Sequence, residues 1–368
     1  MASTTMSIST AFASTQQFTF ERVVAYPSGN GFPTTSITTA DVNGDNKQDI
    51  IGICGSDNNV AVILGYGNGS FGTPTMYLTG SNIPPTVIIV VDLNGDNYLD
   101  IVAADPGEGN VLLFFGYGNG SFQERMVLFM GGGSGPISLA VDDLNGDSFP
   151  DIAVTNIGYN QVVVMLGYGT GSFQAPYTVG GCGDLFSIVI GDFDGDSCVD
   201  IATACNGPQI VMMYFGYCDG TFGQEISFSM PDGYPLLLIA ADFNNDSYLD
   251  IAVAVIVADC ISVVLGNDSR TFKPQNNYYT GDNDPVAIAV GDLNGDGYLD
   301  MAVAYIFGDG NMMILPGSGD GTFGEIISLS LEVYNGGNSI AISDLNGDSC
   351  LDIIVGTGYN LDILLHTC

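Results

Sequence analysis

Seven stretches of nine residues place oxygen-bearing side chains at the same four positions: the first, third, fifth and ninth. In the stretch DLNGDGYLD (292–300) these are Asp292, Asn294, Asp296 and Asp300. The other six stretches begin at Asp41, Asp92, Asp143, Asp192, Asp242 and Asp344. Carboxylate and amide oxygens suit a hard cation with roughly six to eight oxygen ligands, as Ca²⁺ has. The spacing therefore predicts up to seven calcium sites. Magnesium is disfavoured, because it requires near-ideal octahedral geometry and retains its waters.

Each predicted site uses four side chains and one main-chain carbonyl. The ninth residue is expected to be a bidentate ligand. The seventh is expected to donate its carbonyl oxygen, because this position holds chemically unrelated side chains. The predicted side-chain ligands are Asp41, Asn43, Asp45, Asp49, Asp92, Asn94, Asp96, Asp100, Asp143, Asn145, Asp147, Asp151, Asp192, Asp194, Asp196, Asp200, Asp242, Asn244, Asp246, Asp250, Asp292, Asn294, Asp296, Asp300, Asp344, Asn346, Asp348 and Asp352. The predicted carbonyl donors are Lys47, Tyr98, Phe149, Cys198, Tyr248, Tyr298 and Cys350.

Two further positions of the nine-residue stretch support a structured loop. The fourth residue is Gly in six copies and Asn245 in the remaining one, which is expected where the backbone needs a positive φ. The second residue is always apolar and is expected to anchor the loop in the core. A solvated Asp/Asn turn between strands is the alternative interpretation. Seven copies with one ligand spacing disfavour it.

The charge of the chain is strongly unbalanced. It has 41 Asp and Glu against 5 Lys and Arg, for a net charge of −36. Nucleic acid and anionic membrane surfaces are excluded as partners, because both require a basic surface. The seven loops contain 22 Asp, and seven divalent ions would reduce the net charge by 14 units to −22. We therefore expect folding to be coupled to calcium binding.

The loops lie in a repeat of about 50 residues, because their starting positions are 49 to 52 residues apart. Each unit contains four short runs rich in Val, Ile, Leu and Phe and bounded by Gly, Asn, Asp or Pro, a pattern typical of strands. Four antiparallel strands in each of seven units predict an all-β, seven-bladed β-propeller.

The two ends of the repeat indicate how the ring closes. The last unit stops after its third strand (361–366), whereas an additional strand, 18–26, precedes the first unit. Strand 18–26 is expected to complete blade seven and close the ring, which disfavours an open solenoid. The predicted organisation is one propeller domain, 18–368, preceded by a Ser/Thr-rich extension, 1–17.

The D-x-[ND]-G-D-x-x-x-D loops and the flanking GNGSF and GDGTF segments resemble FG-GAP repeats. These are the calcium-binding repeats of integrin α-subunit propellers and of many secreted VCBS-type proteins. The resemblance extends from Phe18 to the end of the sequence. It implies that each loop joins the innermost strand of a blade to the next strand. Integrin propellers carry the motif in only some blades, whereas all seven units carry it here, as in a secreted, calcium-saturated propeller.

Eight cysteines can be placed on this propeller. Cysteines at the seventh loop position and in the third hairpin of the same blade would share one face of the ring, and a further pair in blade four would share the opposite face. The predicted disulfides are Cys198–Cys218, Cys350–Cys368 and Cys182–Cys205. Cys54 and Cys260 are left over, either as buried thiols or for intermolecular bonding. Three disulfides imply an oxidising compartment and a secreted, extracellular protein.

Other local signals agree only partly with secretion. Glycosylation sequons occur at Asn68, Asn119 and Asn267 in third-hairpin loops, and at Asn245 inside an acidic loop, where less modification is expected. Residues 1–17 lack the basic and apolar regions of a signal peptide. No apolar run reaches the roughly 20 residues needed to span a membrane.

No catalytic constellation can be built around the one histidine, His366. The sequence therefore predicts a non-catalytic, extracellular, calcium-binding propeller that acts as an adhesion, interaction or structural scaffold protein, with a protein or glycan ligand on one face. A secreted carbohydrate-binding lectin is the alternative, because propellers similar to this family include sugar binders. The absence of Trp weighs against a lectin, although Tyr is available for stacking.

The extension 1–17 could link copies of the chain. It contains a weak alternating pattern, with Met6, Ile8 and Phe12 among small polar residues. Addition of such a segment to a neighbouring copy is a known mode of recognition. A head-to-tail contact of this kind can propagate. A homo-oligomer or filament assembled through residues 1–17 is therefore a further hypothesis.

Overall fold

The computed structural model describes residues 18–27, 35–55, 57–230, 233–267, 270–281, 284–305, 311–330, 337–357 and 360–366. Within these ranges, 28 strands form seven four-stranded antiparallel sheets, and no helix occurs. None of the described residues therefore forms a helix that could cross a membrane. Each sheet is one blade of a propeller, as the repeat predicts.

Six blades are formed by four consecutive strands each. The first three blades contain β2 (Thr35–Ala40), β3 (Asp49–Cys54), β4 (Asn59–Ile63) and β5 (Thr75–Leu78); β6 (Val87–Val91), β7 (Asp100–Asp105), β8 (Asn110–Phe114) and β9 (Met126–Phe129); and β10 (Pro136–Asp142), β11 (Asp151–Asn156), β12 (Gln161–Met165) and β13 (Tyr177–Gly180). The next three contain β14 (Leu185–Gly191), β15 (Asp200–Cys205), β16 (Ile210–Gly216) and β17 (Phe222–Ser229); β18 (Tyr234–Ala241), β19 (Asp250–Ile256), β20 (Cys260–Val264) and β21 (Asn276–Tyr279); and β22 (Pro285–Gly291), β23 (Asp300–Tyr305), β24 (Asn311–Leu315) and β25 (Ile327–Ser330).

Blade seven joins the two ends of the chain. It contains β26 (Gly337–Ser343), β27 (Asp352–Thr357), β28 (Asn360–His366) and the N-terminal strand β1 (Phe20–Pro27). Strand β1 runs antiparallel to β28, with Phe20 opposite His366. The innermost strand β26 also contacts β2 of blade one. The predicted closure by an N-terminal strand is therefore confirmed.

The second strand of each blade is buried along its whole length, apart from the last residue of β19. A blade packs against a neighbour on each face, so its central strands are rich in Val, Ile and Ala rather than alternating with polar residues. Seven hydrophobic clusters lie at the seven junctions between adjacent blades. At the closing junction, Ile50 and Ile63 of blade one pack with Ile354 and Ile363 of blade seven.

The innermost strands surround an axial cavity of about 300 Å³. Serine hydroxyls cross the blade junctions around this cavity and accept hydrogen bonds from the next blade. Ser339 Oγ accepts from the N–H of Ile37 (2.8 Å), and Ser36 Oγ accepts from that of Ile88 (2.9 Å). The blades are thus joined at the axis by hydrogen bonds as well as by apolar packing.

Candidate functional site: seven acidic loops

Each acidic loop connects the first strand of a blade to the second. In an antiparallel blade, the first and third hairpins lie at the same end. All seven loops therefore lie on one face of the ring, next to the Gly-rich third-hairpin loops. The two kinds of loop meet across blade junctions: the N–H of Gly120 in blade two donates to the carbonyl of Val42 in blade one (3.0 Å). All predicted ligand residues therefore lie on this face, in seven separate loops.

The first carboxylate of each loop organises the turn that follows it. Asp292 Oδ1 accepts the N–H groups of Gly295 (2.7 Å) and Asp296 (3.1 Å), and its Oδ2 accepts the N–H of Gly297 (2.8 Å). Asn294 Oδ1 also accepts from Asp296, and Asp296 Oδ1 accepts from Tyr298. The chain therefore curves around its first three oxygen-bearing side chains.

Left-handed backbone occurs at two positions of every loop. The fourth position has the positive φ predicted from the sequence, from 57° at Asn245 to 80° at Gly195. The sixth position is also left-handed, which the sequence analysis missed. The residue types at the sixth position carried the signal, because Asn, Ser and Gly are common in such turns. These residues are Asn46, Asn97, Ser148, Ser197, Ser247, Gly297 and Ser349.

The ninth-position carboxylates are fully buried. Asp300 Oδ2 accepts the N–H of Leu293 (3.0 Å), and its Oδ1 accepts the N–H of Gly317 (2.7 Å) at the end of the third strand. Burial raises the pKa of these carboxyls to about 6 in six loops, and that of Asp200 to about 7. Each oxygen retains a second lone pair, so the carboxylate can still bind a cation.

The residues present fit a calcium ion in chemistry. The predicted side-chain ligands are all oxygen donors, which Ca²⁺ prefers. Among the described residues, no basic side chain forms an ion pair with any ninth-position carboxylate. A buried carboxylate without a cation is unfavourable, as the raised pKa values indicate. Within the described residues, the ninth-position carboxylates therefore lack a positive partner, which a divalent ion would supply.

The loop of blade four differs from the other six. Its third residue is Asp194, and carboxylate oxygens of Asp192, Asp194 and Asp200 lie within 4.8 Å of one another. Arg270 of blade five forms ion pairs with Asp194 and Asp196. In blade one, Lys47 lies 3.5 Å from Asp45, with both side chains largely exposed.

Two disulfides expected from the sequence are present, Cys182–Cys205 and Cys198–Cys218. The second ties the acidic loop of blade four to the third hairpin of the same blade, with a Cα–Cα distance of 4.8 Å. For the third pair, Cys350–Cys368, Cys368 lies outside the described residues. Cys54 and Cys260 are buried and take no part in the two disulfides.

The remaining candidate residues occupy different environments. Asn68 and Asn119 are exposed in Gly-rich loops, where each accepts hydrogen bonds from the Ser two residues later. Asn267 is half-buried, and its sequon continues outside the described residues. His366 is buried against Phe20, and its main-chain N–H donates to Asp352 Oδ1 (2.8 Å). Burial lowers the pKa of His366, so the imidazole is neutral at pH 7. The extension 1–17 lies outside the described residues.

Sequence reasoning missed the side chains that connect one blade to the next. Tyr77 and Tyr278 each accept, through the hydroxyl, an N–H of the following blade, and Arg270 reaches the preceding blade. Aligning the units would have revealed Arg270, because it stands where five other units have Gly. The tyrosine contacts have no comparable signal, since Tyr is frequent throughout the chain.

Solved structures resemble this chain in fold. An Agrocybe aegerita lectin that recognises non-reducing terminal N-acetylglucosamine is 19% identical, with a TM-score of 0.61, and the match covers 89% of this chain and 86% of the lectin. BBS1N, from a complex with ARL6DN, is 12% identical (TM-score 0.64; 95% and 98% covered). Virginiamycin B lyase from Staphylococcus aureus is 14% identical (TM-score 0.62; 95% and 99% covered). At these identities the likeness concerns the fold alone.

A match to a family model is more specific, because it includes the acidic loops. The model of the FG-GAP-like repeat matches residues 41–103, 92–154, 143–203 and 292–355. Each match begins at the first aspartate of one loop and extends at least to the ninth-position aspartate of the next. Together the matches cover more than half of the chain. This seven-bladed propeller belongs to the FG-GAP-like repeat family.

Proposed function

We propose that the chain is a non-catalytic, extracellular, calcium-binding propeller that acts as an adhesion, interaction or structural scaffold protein. The observation that carries the proposal is the set of seven fully buried ninth-position aspartates. None of them forms an ion pair within the described residues. Up to seven calcium ions would supply the missing positive charge. Their function would be structural, because each loop repeats the same arrangement on a separate blade.

Calcium binding would stiffen the junctions between blades. The carbonyl of the second loop residue accepts an N–H from the Gly-rich loop of the next blade. One example is Phe243, which accepts from Gly321 at 3.1 Å. The same second residue donates its own N–H to the ninth-position carboxylate. An ion that fixes this carboxylate therefore also restrains the neighbouring blade, and the faces of the ring become a rigid surface for a partner.

An extracellular location is supported by two disulfides, which persist in oxidising compartments. The two exposed sequons, Asn68 and Asn119, agree with it. A protein partner is supported by apolar side chains on the outer rim of blades one and two, where Leu78 and Val127 line one groove and are 69% and 44% exposed. Exposed apolar side chains grouped in this way are typical of interaction surfaces.

Calcium titration of the metal-stripped protein tests the proposal. Calorimetry and ion counting after dialysis should show several calcium ions per chain. The thermal unfolding midpoint should rise with calcium concentration, and less with magnesium. A protein that binds no calcium, or whose unfolding midpoint is the same with and without it, contradicts the proposal.

The proposal also includes self-assembly of the chain through residues 1–17. Light scattering of the full chain and of a chain lacking residues 1–17 would give the particle sizes. A larger particle for the full chain alone supports the assembly arm. Equal particle sizes contradict it.

A carbohydrate-binding lectin is the second candidate, favoured by a groove of about 600 Å³ between blades one and two. Its lining combines the aromatic rings of Tyr77 and Phe122 with the polar side chains of Gln123, Glu124 and Arg125. Aromatic rings beside polar groups suit sugar rings, and one structural neighbour recognises terminal N-acetylglucosamine.

A glycan array with the wild type and with Arg125→Gln tests the lectin candidate. Glycan binding should weaken in Arg125→Gln and persist in Lys273→Gln, which removes a cation from a different blade. The absence of any glycan signal for the wild type would exclude the lectin.

A further inference from the structure

Arg270 of blade five reaches across a blade junction into the acidic loop of blade four. Its Nε lies 2.5 Å from Asp194 Oδ2, and its Nη2 lies 3.3 Å from Asp196 Oδ2. The guanidinium also lies over the ring of Phe215, 4.7 Å from the ring centroid. The side chain of Asp194 is only 4% exposed. The side chain of Arg270 is therefore held by two carboxylates and by one aromatic face.

The position of Arg270 in the repeat is occupied by glycine in other units. These glycines have φ values between 71° and 81°, and Arg270 has a φ of 55°. Left-handed backbone is unfavourable for a residue with a Cβ, so Arg is a poor choice for the turn itself. The corresponding residues are Gly69, Gly120, Gly171, Gly220 and Gly321.

The acidic loop that faces Arg270 is also exceptional. Blade four has Asp194 at the third position, where the other six loops have Asn. The third residue of a loop lies next to the Arg270 position of the following blade. At the junction of blades three and four, for example, a Cβ added to Gly220 would lie 3.3 Å from the Cβ of Asn145. The extra carboxylate and the extra cation therefore occur at the same junction. With Arg270 included, the loop has a net charge of −4 + 1 = −3, the same as the five loops that have three Asp and no Lys.

Arg270 binds oxygen atoms that a metal ion would also need. Asp194 Oδ1 accepts the N–H of Asp196 (3.1 Å), and Asp196 Oδ1 accepts the N–H of Cys198 (2.8 Å). The two Oδ2 atoms take no part in these loop hydrogen bonds. Both Oδ2 atoms are bonded to the guanidinium.

We propose that Arg270 is a built-in counter-cation of the blade-four loop, which competes with Ca²⁺ for Asp194 Oδ2 and Asp196 Oδ2. This inference rests on the proposed calcium binding of the loops. The junction between blades four and five remains neutralised at low calcium, and the calcium site of blade four is the weakest of the seven. Arg270 thus sets the order in which the sites fill.

A double-mutant cycle tests the competition. Arg270→Gly restores the residue found in the other units, Asp194→Asn restores the usual third residue, and the double variant restores both. Calcium binding is measured by calorimetry, and thermal unfolding is measured with and without calcium. We expect Arg270→Gly to raise the affinity of the weakest site at least tenfold. In metal-stripped protein it should lower the unfolding midpoint by a few degrees, and Asp194→Asn in the same background should reverse that loss.

Lys273→Gln is the matched control, because Lys273 is an exposed cation of the same hairpin. It should leave both the weakest calcium site and the unfolding midpoint unchanged. If the calcium affinity of the weakest site is unchanged or lower in Arg270→Gly, Arg270 does not compete with calcium. The same conclusion holds if Lys273→Gln raises that affinity equally. Seven equal sites in the wild type overturn only the inference, whereas a chain that binds no calcium overturns the proposed function as well.

Discussion

At the scale of single residues, a ninth-position aspartate has two separable functions. Asp300 accepts two main-chain N–H groups without any metal, and it is also a predicted ligand. An Asn in its place has one acceptor oxygen, so one buried N–H would lose its partner. At pH 5, where the buried carboxyl is largely uncharged, we expect Asp300→Asn to lower the free energy of unfolding of the metal-stripped protein by about 1–3 kcal/mol. It should also remove one calcium ion per chain, as measured by ion counting.

Asp320→Asn is the matched control for this prediction. Asp320 lies in the same blade, carries the same charge and is exposed in the Gly-rich loop, where it accepts hydrogen bonds from Thr322. Asp320→Asn should change the free energy of unfolding by less than about 0.5 kcal/mol and leave the number of bound calcium ions unchanged. Equal effects of the two substitutions would mean that net charge, and not the buried contacts of Asp300, is responsible.

The raised pKa values of the ninth-position carboxyls predict a pH dependence. Burial raises the pKa of Asp300 from its ordinary value of 3.8 to about 6. Between these two pH values, the metal-free folded state therefore binds more protons than the unfolded state. Stability without calcium therefore falls as pH rises from about 4 to about 6 and then levels off. The unfolding midpoint of metal-stripped protein should be higher at pH 5 than at pH 7.

Calcium should reverse this dependence, because protons and calcium ions compete for the same oxygens. In excess calcium, the unfolding midpoint should be lower at pH 5 than at pH 7. Unfolding scans at both pH values, with and without calcium, would measure both effects. If the unfolding midpoint changes with pH in the same way with and without calcium, the buried carboxyls are not the calcium ligands.

The sequence predicted the loop residues well, because each loop is a local structure of nine residues that occurs seven times. The left-handed fourth position followed from Gly44 and its equivalents alone. The ion pairs of Arg270 could not be predicted in this way. They join residues 74 and 76 positions apart in sequence, and their geometry depends on how one blade packs on the next.

At the scale of elements, the outer strands of three blades carry a tyrosine whose hydroxyl contacts the next blade: Tyr77, Tyr177 and Tyr278. The hydroxyl of Tyr278 in β21 accepts the N–H of Phe323 (3.1 Å), and the two rings meet edge to face at 5.4 Å. Tyr278→Phe would leave this partly buried N–H without its partner. We expect a loss of about 1 kcal/mol in the free energy of unfolding, measured by denaturant titration.

Tyr279→Phe is the control for the tyrosine contact. Tyr279 is the next residue in β21 and is 66% exposed. Its hydroxyl should contribute nothing measurable to stability. If Tyr278→Phe is as stable as Tyr279→Phe, the hydroxyl contact does not stabilise the junction.

Strands were predictable from the sequence because their apolar runs and turn residues are local signals. Two disulfides were predictable from strand order alone. For example, strand order places Cys198 and Cys218 at the same end of one blade. Contacts made by outer strands were not predictable. They depend on the twist of each blade relative to its neighbour, and no short motif encodes that angle.

At the scale of the whole molecule, the ring depends on the pairing of β1 with β28. Leu361 and Ile363 of β28 are fully buried beneath this pairing. A chain lacking residues 1–17 should unfold cooperatively and bind calcium like the full chain. A chain lacking residues 1–27 loses β1 as well and leaves β28 as an open edge, which favours aggregation.

Size-exclusion chromatography and thermal unfolding of the two truncated chains would test the closure. The shorter truncation is the control for the longer one. A chain lacking residues 1–27 that remains monomeric and unfolds at the same temperature would show that β1 is dispensable for the ring.

The pairing of β1 with β28 also has a consequence for the time course of biosynthesis. Strand β1 leaves the ribosome about 346 residues before its partner, because Phe20 pairs with His366. At about 5–20 residues per second, the interval is on the order of tens of seconds. During that time, blades one to six can form while β1 has no strand to pair with. Strand β1 is therefore made before the other 27 described strands of the ring and yet is among the last to reach its native neighbour.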